Sequence, residues 1–326
     1  MDGAAFDALT DSLRRSPALA AKADIGVVVE RLGLPSGAIP VGDDCAAIAD
    51  GDGHLLVAIE GFLNAFVAAD PWFAGWCGVM VNISDIAAMG GRPLAVVDAV
   101  WADGEGSAAA ILDGMKAASA AYGAPIVGGH TNLRTPQAQL AVAVVGRAGL
   151  QLLTSFDARP GDVLIAAIDH RGAYREPFDN WQAALGAPCE RLRGDLALLP
   201  QIAERGLARA AKDISQGGIP GTVAMLAEAS GVAIDIDLDA IEPPRGVALE
   251  RWLRTFPSFG FLLSVPRTSL DATLELFRGR DIHADVIGDV RSGTEVALVL
   301  GARRAILRDL QRERLMGLSR VSEVAG

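Results

Sequence analysis

Three carboxylates gather around one short stretch of the chain. Gly42-Asp43-Asp44-Cys45-Ala46 leads into an apolar run ending at Ala49, and Asp50-Gly51-Asp52-Gly53 separates that run from a second one, Leu55 to Ile59. Apolar runs joined by Asp-Gly pairs predict a β-hairpin. If Ala49 pairs with His54, the same register sets Asp43 opposite Glu60, with Asp44 beside it. Like charges facing each other across a strand pair repel, so the three acids ask for a cation. Hard oxygen donors suit Mg²⁺, an ion commonly shared with substrate phosphates. A solvated loop end is the alternative. A further acid lies in Asn82-Ile83-Ser84-Asp85-Ile86-Ala87-Ala88-Met89-Gly90. On a helix, Asn82 and Asp85 share one polar face, while Val79, Ile83, Ile86 and Met89 pack inward. An ordinary amphipathic helix has the same pattern.

Two glycine-rich segments could serve an anion. Gly128-Gly129-His130-Thr131-Asn132 follows an apolar strand. Paired glycines in a turn expose backbone N–H groups, and Thr131 adds a hydroxyl. The spacing matches neither a Walker loop nor a dinucleotide fingerprint. Asp213-Ile214-Ser215-Gln216-Gly217-Gly218 precedes a predicted helix, whose N-terminus is an anion site. Ser215 or Gln216 as a plain N-cap is the alternative. A third segment, 169–181, concentrates His170, Arg171 and Arg175 with aromatic residues. Its arginines and histidine could bind a phosphate or carboxylate of an acceptor, or Phe178 and Trp181 could simply pack on the domain.

These segments need elements to position them. Periodicity predicts helices over 4–34 (broken at Pro17 and Gly33), 72–89, 107–122, 181–185, 195–205, 218–230 and 305–316. Further strands are expected at 93–100, 126–128, 140–146, 163–168, 232–238, 259–265, 284–287 and 296–300. Asp235, Asp237 and Asp239 fall on one strand face, expected toward solvent. The polar stretch 154–161 divides the chain into two domains, 1–150 and 151–326, each of α+β type.

Composition narrows the partners. The 326 residues are 51% hydrophobic and carry a net charge of −11. Such a surface repels phosphate backbones and anionic lipid, which argues against nucleic acid and membrane surfaces as partners. Mean hydropathy is +0.30, yet the uncharged stretch 117–133 is broken by Gly123, Pro125, Gly128 and Gly129, so no membrane span is expected. Asp2, Asp7 and Asp11 are unlike a signal or transit peptide. Three cysteines without a CxxC pair fit a reduced, cytoplasmic compartment.

Together, Gly42 to Ala46, Asn82 to Gly90, Gly128 to Thr131, Arg159-Pro160-Gly161-Asp162 and Asp213 to Gly218 occur in an order that resembles the aminoimidazole-ribonucleotide (AIR) synthase-related superfamily. The likeness is nearest to its thiamine-monophosphate kinase branch. It implies a two-domain α/β fold in which the N-terminal sheets of two subunits form a barrel-like dimer core, beside a C-terminal α/β domain. It also implies ATP and Mg²⁺ as cofactors, and a second copy of the chain and a small-molecule acceptor as partners. Carried over, Asp43, Asp44 and Asp85, with Glu60 at a position where the kinase has Asp, would hold Mg²⁺. Asn82, Gly128, Gly129, His130, Thr131, Arg147, Asp213 and Ser215 would meet the nucleotide, with Asp213 facing its phosphates. The implied activity is phosphoryl transfer, catalysed mainly by positioning and charge neutralisation. ATP-driven activation of a carbonyl or carboxamide, and nucleotide binding without turnover, are the alternatives.

The departures from the kinase pattern are specific. His130 and Gln216 stand where it has Asp, no histidine follows Glu60 in 61–69, and Ser155 replaces an expected arginine. Ser258-Phe259-Gly260-Phe261 lacks its acids, and 169–181 has no counterpart in it. Thiamine monophosphate is therefore expected to be a poor acceptor.

Overall fold

Strand and helix signals along the chain resolve into two units that interleave in sequence, in a computed structural model describing residues 1–33 and 39–318. One unit takes Asp44–Leu152 and Ala184–Glu204, and the other takes Met1–Asp43, Leu153–Ala183 and the residues from Arg205 on.

The first unit is a sheet with one face covered by helices. Its strands are β1 (Ala46–Asp50), β2 (Gly53–Gly61), β3 (Arg92–Asp103), β4 (Ile126–Asn132) and β5 (Arg134–Ala148), in the order β1-β2-β5-β3-β4. Only the β3–β4 pair is parallel. The helix Pro71–Ala88 starts where proline suits a first turn, and the Asp70 carboxylate accepts the Phe73 N–H at 3.2 Å. Val79, Ile83 and Ile86 are fully buried, as their spacing predicts. Against it lies the helix Gly104–Tyr122, so close at Gly114 that a Cβ there would strike the Trp72 carbonyl. The opposite sheet face leaves apolar side chains open: Ile48 is 55% exposed and Ile59 70%.

The second unit contains β6 (Val163–Ile168), β7 (Ala173–Tyr174), β8 (Asn180–Gln182), β9 (Ala210–Asp213), β10 (Ala233–Asp237), β11 (Phe256–Pro257), β12 (Gly260–Val265), β13 (His283–Arg291), β14 (Glu295–Leu300) and β15 (Arg303–Asp309). Seven of these form a sheet ordered β15-β14-β10-β13-β6-β12-β9, and β11-β8-β7 form a small one. Two expected helices are strands instead. Segment 303–309 alternates, with Ala305 and Leu307 toward the core and Arg304 and Arg308 outward, so the period of two prevails. At 181–185 the Trp181 indole is buried and its backbone pairs with β11; the helix begins later, at Cys189–Leu196, after Pro188. The expected solvent-facing Asp235 is instead largely covered, with salt bridges from Arg291 at 2.7 Å and Arg304 at 3.1 Å. Among the described residues, no helix is long and apolar enough to cross a membrane.

Candidate metal and nucleotide site

The hairpin forms in the expected register, Ala49 opposite His54, but its ladder stops at Ala46 and Val57. Asp43 and Asp44 lie beyond the strand, so Asp43 does not pair with Glu60. Glu60 pairs with Val142 of β5 and is exposed; it is not in the carboxylate group of Asp44 and Asp85. What brings those two together is the end of the Pro71–Ala88 helix. The Cys45 N–H donates to Met89 Sδ at 3.2 Å, fastening the acidic segment to the helix terminus. A carboxylate oxygen of Asp44 then lies within 4.8 Å of one from Asp85. Asp85 is 9% exposed and Asn82 fully buried. The Asn82 amide donates to the Gly78 carbonyl at 2.7 Å, while its buried Oδ1 accepts no hydrogen bond among the described residues.

In the other unit, Asp43 is engaged by protein groups. It accepts the Ser155 N–H at 2.7 Å and the Ser155 hydroxyl, with Lys212 Nζ 4.0 Å away. Ser155, standing where an arginine is expected, thus acts as a donor to this carboxylate. Asp213 ends β9, opposite Phe261 of β12. Ser215 does not cap the following helix, Gly218–Ser230: Gly217 is the N-cap and supplies no side-chain bond. The Ser215 hydroxyl is buried without a hydrogen-bond partner among the described residues.

The expected glycine turn is a strand. Gly128, Gly129, His130 and Thr131 all lie within β4, exposed along an edge. Strand alternation sends them to two faces. Gly129 pairs with Asp98 and Thr131 with the buried Val100, whereas His130 pairs with Ala99, its ring 5.9 Å from that of Trp101. A Cβ on Gly129 would come within 2.7 Å of Asp98 Oδ2, so only glycine leaves room for that carboxyl. Asp98 escaped the sequence analysis, although it is a lone acid in an apolar strand; burial raises its pKa above the usual carboxylate range. Arg147 clamps the hairpin turn, bonded to Asp50 and to Asp52, the latter at 2.6 Å.

In the loop segment, Arg171 turns its guanidinium onto Asp169 at 2.7 Å and the Arg280 carbonyl at 3.1 Å. His170 stacks on His283, ring centroids 4.1 Å apart, and meets Trp252 edge-on. Burial, and then the charge of His283, lower the His170 pKa to about 4. Arg175 is half-buried, and Trp181 packs between Tyr174 and Trp252. Trp181 thus packs as the alternative has it, while Arg171 pairs with Asp169 and His170 stacks on His283.

Residues 42–148 match the N-terminal domain of AIR synthase related proteins and residues 187–301 match the C-terminal domain. The chain belongs to the AIR synthase-related family. An uncharacterized protein of Synechocystis sp. is 46% identical over 86% of this chain and 88% of its own length. A thiamine-monophosphate kinase of Pyrococcus abyssi is 29% identical over 85% of this chain and 91% of its own. In fold, the chain is similar to T. maritima PurL complexed with ADP, with a TM-score of 0.76 at 19% identity, covering 96% of this chain and 54% of that one. The family implies a divalent cation, and the donors of the first unit fit one. Two hard carboxylates converge at Asp44 and Asp85 with no soft ligand in their group.

Proposed function

We propose that the chain is an ATP- and Mg²⁺-dependent phosphotransferase of thiamine-monophosphate-kinase type, acting on a small-molecule acceptor as a cytoplasmic homodimer. The observation that carries this reading is the approach of Asp44 and Asp85 at the end of the Asn82 to Gly90 segment. Two like charges held that close are costly unless a cation joins them, and Asp44 and Asp85 would hold it. A bound Mg²⁺ would neutralise charge on the ATP phosphates. Asp213 is the chain's proposed carboxylate toward those phosphates. The open apolar face of the first sheet, with Ile48, Ile59 and Val97 exposed, suits burial against a second copy.

The test is ADP formation with Mg²⁺ and ATP across a panel of small acceptors, repeated with Asp85→Asn. Acceptor-dependent ADP release that vanishes in the variant supports the proposal; turnover indifferent to Asp85 sinks it. The likeness to PurL favours a second reading, ATP-driven activation of a carbonyl or carboxamide. Product analysis separates the two, because activation leaves a new C–N bond and free phosphate where a kinase leaves a phosphorylated acceptor. His130 and Gln216, replacing acids, support a third reading of nucleotide binding without turnover; binding with no ADP formed under any acceptor would favour it.

A further inference from the structure

A cleft of about 350 Å³ opens in the second unit, at the end of the helix Gly218–Ser230. Phe156, Asp157, Arg159, Ser230, Val232 and Ser292 line it, and its volume is that of a small-molecule site. The helix has 13 residues and is about 20 Å long, so the cleft and the Asp213 to Gly218 segment stand at its opposite ends. One wall belongs to Arg159-Pro160-Gly161-Asp162, a motif that the proposed activity leaves unused. The buried Asp162 carboxylate accepts the Arg159 N–H at 3.3 Å, Ser264 Oγ at 2.8 Å and Arg209 Nε at 3.3 Å. Gly161, at φ +98°, donates its N–H to the Val290 carbonyl at 2.9 Å. On the helix side, Ser230 Oγ donates to the Ser155 carbonyl at 2.6 Å and accepts the Ala158 N–H at 3.0 Å. Walls fixed in this way are preorganised for a ligand.

The cleft carries both signs of charge on an apolar base. The exposed Arg159 guanidinium has no hydrogen-bond or ion-pair partner among the described residues. Asp157 lies two residues away, its Oδ2 taking the Thr154 hydroxyl at 2.5 Å. The helix ends at Gly231, φ +67°, and its last carbonyls add partial negative charge beside Ser230. Phe156 and Val232 are both buried. A guanidinium pairs with a carboxylate through two parallel hydrogen bonds, whereas a carboxylate beside a helix C-terminus favours an ammonium. An α-amino acid bears both groups on one carbon, with a side chain left for the apolar base. We propose that this cleft binds an α-amino acid with an apolar side chain, its carboxylate on Arg159 and its ammonium on Asp157. The inference is independent of the proposed metal site, since neither Asp44, Asp85 nor ATP enters it.

Isothermal titration calorimetry on the full chain, without metal or nucleotide, takes L-leucine, L-methionine and L-phenylalanine as probes. At least one is expected to bind with a Kd below about 1 mM. The N-acetyl and amide derivatives of the tightest probe each remove one charge, and each should bind at least about tenfold more weakly. Arg159→Ala and Asp157→Asn should weaken the tightest probe by about tenfold as well. If either variant fails to fold, the derivatives decide on the parent protein. A Kd above about 1 mM for all three probes overturns the inference. So does an N-acetyl derivative that binds as well as the free amino acid, which would make the cleft a plain carboxylate site, or an amide that does so. Binding unchanged in both variants would place the ligand elsewhere and overturn it too.

Discussion

Asp85→Asn tests the physical premise of the site before any substrate is known. Asp44 and Asp85 hold like charges with oxygens no more than 4.8 Å apart. Two unit charges at that separation repel by about 3 kcal/mol at an effective dielectric of ~20 and by about 1 kcal/mol in bulk water. Asp85 is nearly buried and Asp44 half-buried, so the relief on neutralising Asp85 falls between these limits. The isosteric amide should therefore raise the thermal midpoint in EDTA by about 2 °C or more. Saturating Mg²⁺-ATP acts oppositely. The parent gains stability by mass action, about 2.7 kcal/mol when ligand stands at a hundred times its Kd, and the variant gains little. Differential scanning calorimetry in EDTA and in Mg²⁺-ATP reads both effects. An apo variant that melts below the parent would show that the carboxylates are not in net repulsion. Equal stabilisation of both proteins by Mg²⁺-ATP would refute the site.

Three other outcomes follow from features already described. Thiamine monophosphate should support little or no ADP formation, since a site built for one ligand's polar groups rejects a mismatched one; brisk phosphorylation would contradict the weight placed on the departures at 61–69 and 258–261. Light scattering should find a dimer at micromolar concentration, with an interface of more than about 2,000 Å², and Ile59→Glu should shift it toward monomer; a monomeric parent would leave the open sheet face unexplained. The His170 pKa is lowered to about 4, so the unfolded chain takes up that proton first as pH falls. Stability from this group is full above the unfolded value near 6.5 and is lost between there and pH 4, by at most about 3 kcal/mol before solvent screening of this partly exposed ring. Urea denaturation at pH 7 and pH 5 should show a smaller acid loss in His170→Phe, and equal losses would exclude His170 as the source.

The hairpin register was readable because Asp50-Gly51-Asp52-Gly53 pins the turn, and turn residues fix register locally. Where the ladder stops was not readable. It depends on Cys45 bonding to Met89, a contact between residues 44 apart in sequence. The helix carrying Asn82 and Asp85 was readable from its apolar spacing, whereas its start at Pro71 comes from the structure. Gly128-Gly129 misled because paired glycines resemble a turn, whereas Gly129 is needed in a strand to leave space for Asp98. Segment 305–316 carries apolar residues that suit either period, and only its pairing with β14 selects the strand. Lys212 and Asp43 could not be linked from sequence, since nothing local marks a lysine in β9 as the partner of an acid far upstream.

The helix Gly3–Arg14 lays Phe6, Leu9 and Leu13 into the same core as Leu307 and Leu310, and Arg14 Nε donates to the Ile306 carbonyl at 2.9 Å, a partner 292 residues later. On a ribosome adding about 5–20 residues per second, that partner strand is made about 15–60 s after the helix. Through that interval the side of the helix that meets β15 stays uncovered, while the β1–β5 sheet can already assemble and earlier core residues such as Trp252 are already made. The order of synthesis thus runs against the order of assembly for this segment. That side of the helix is accessible to chaperones until β15 appears. A chain stalled before that strand would carry a helix whose β15-facing side is open to proteolysis.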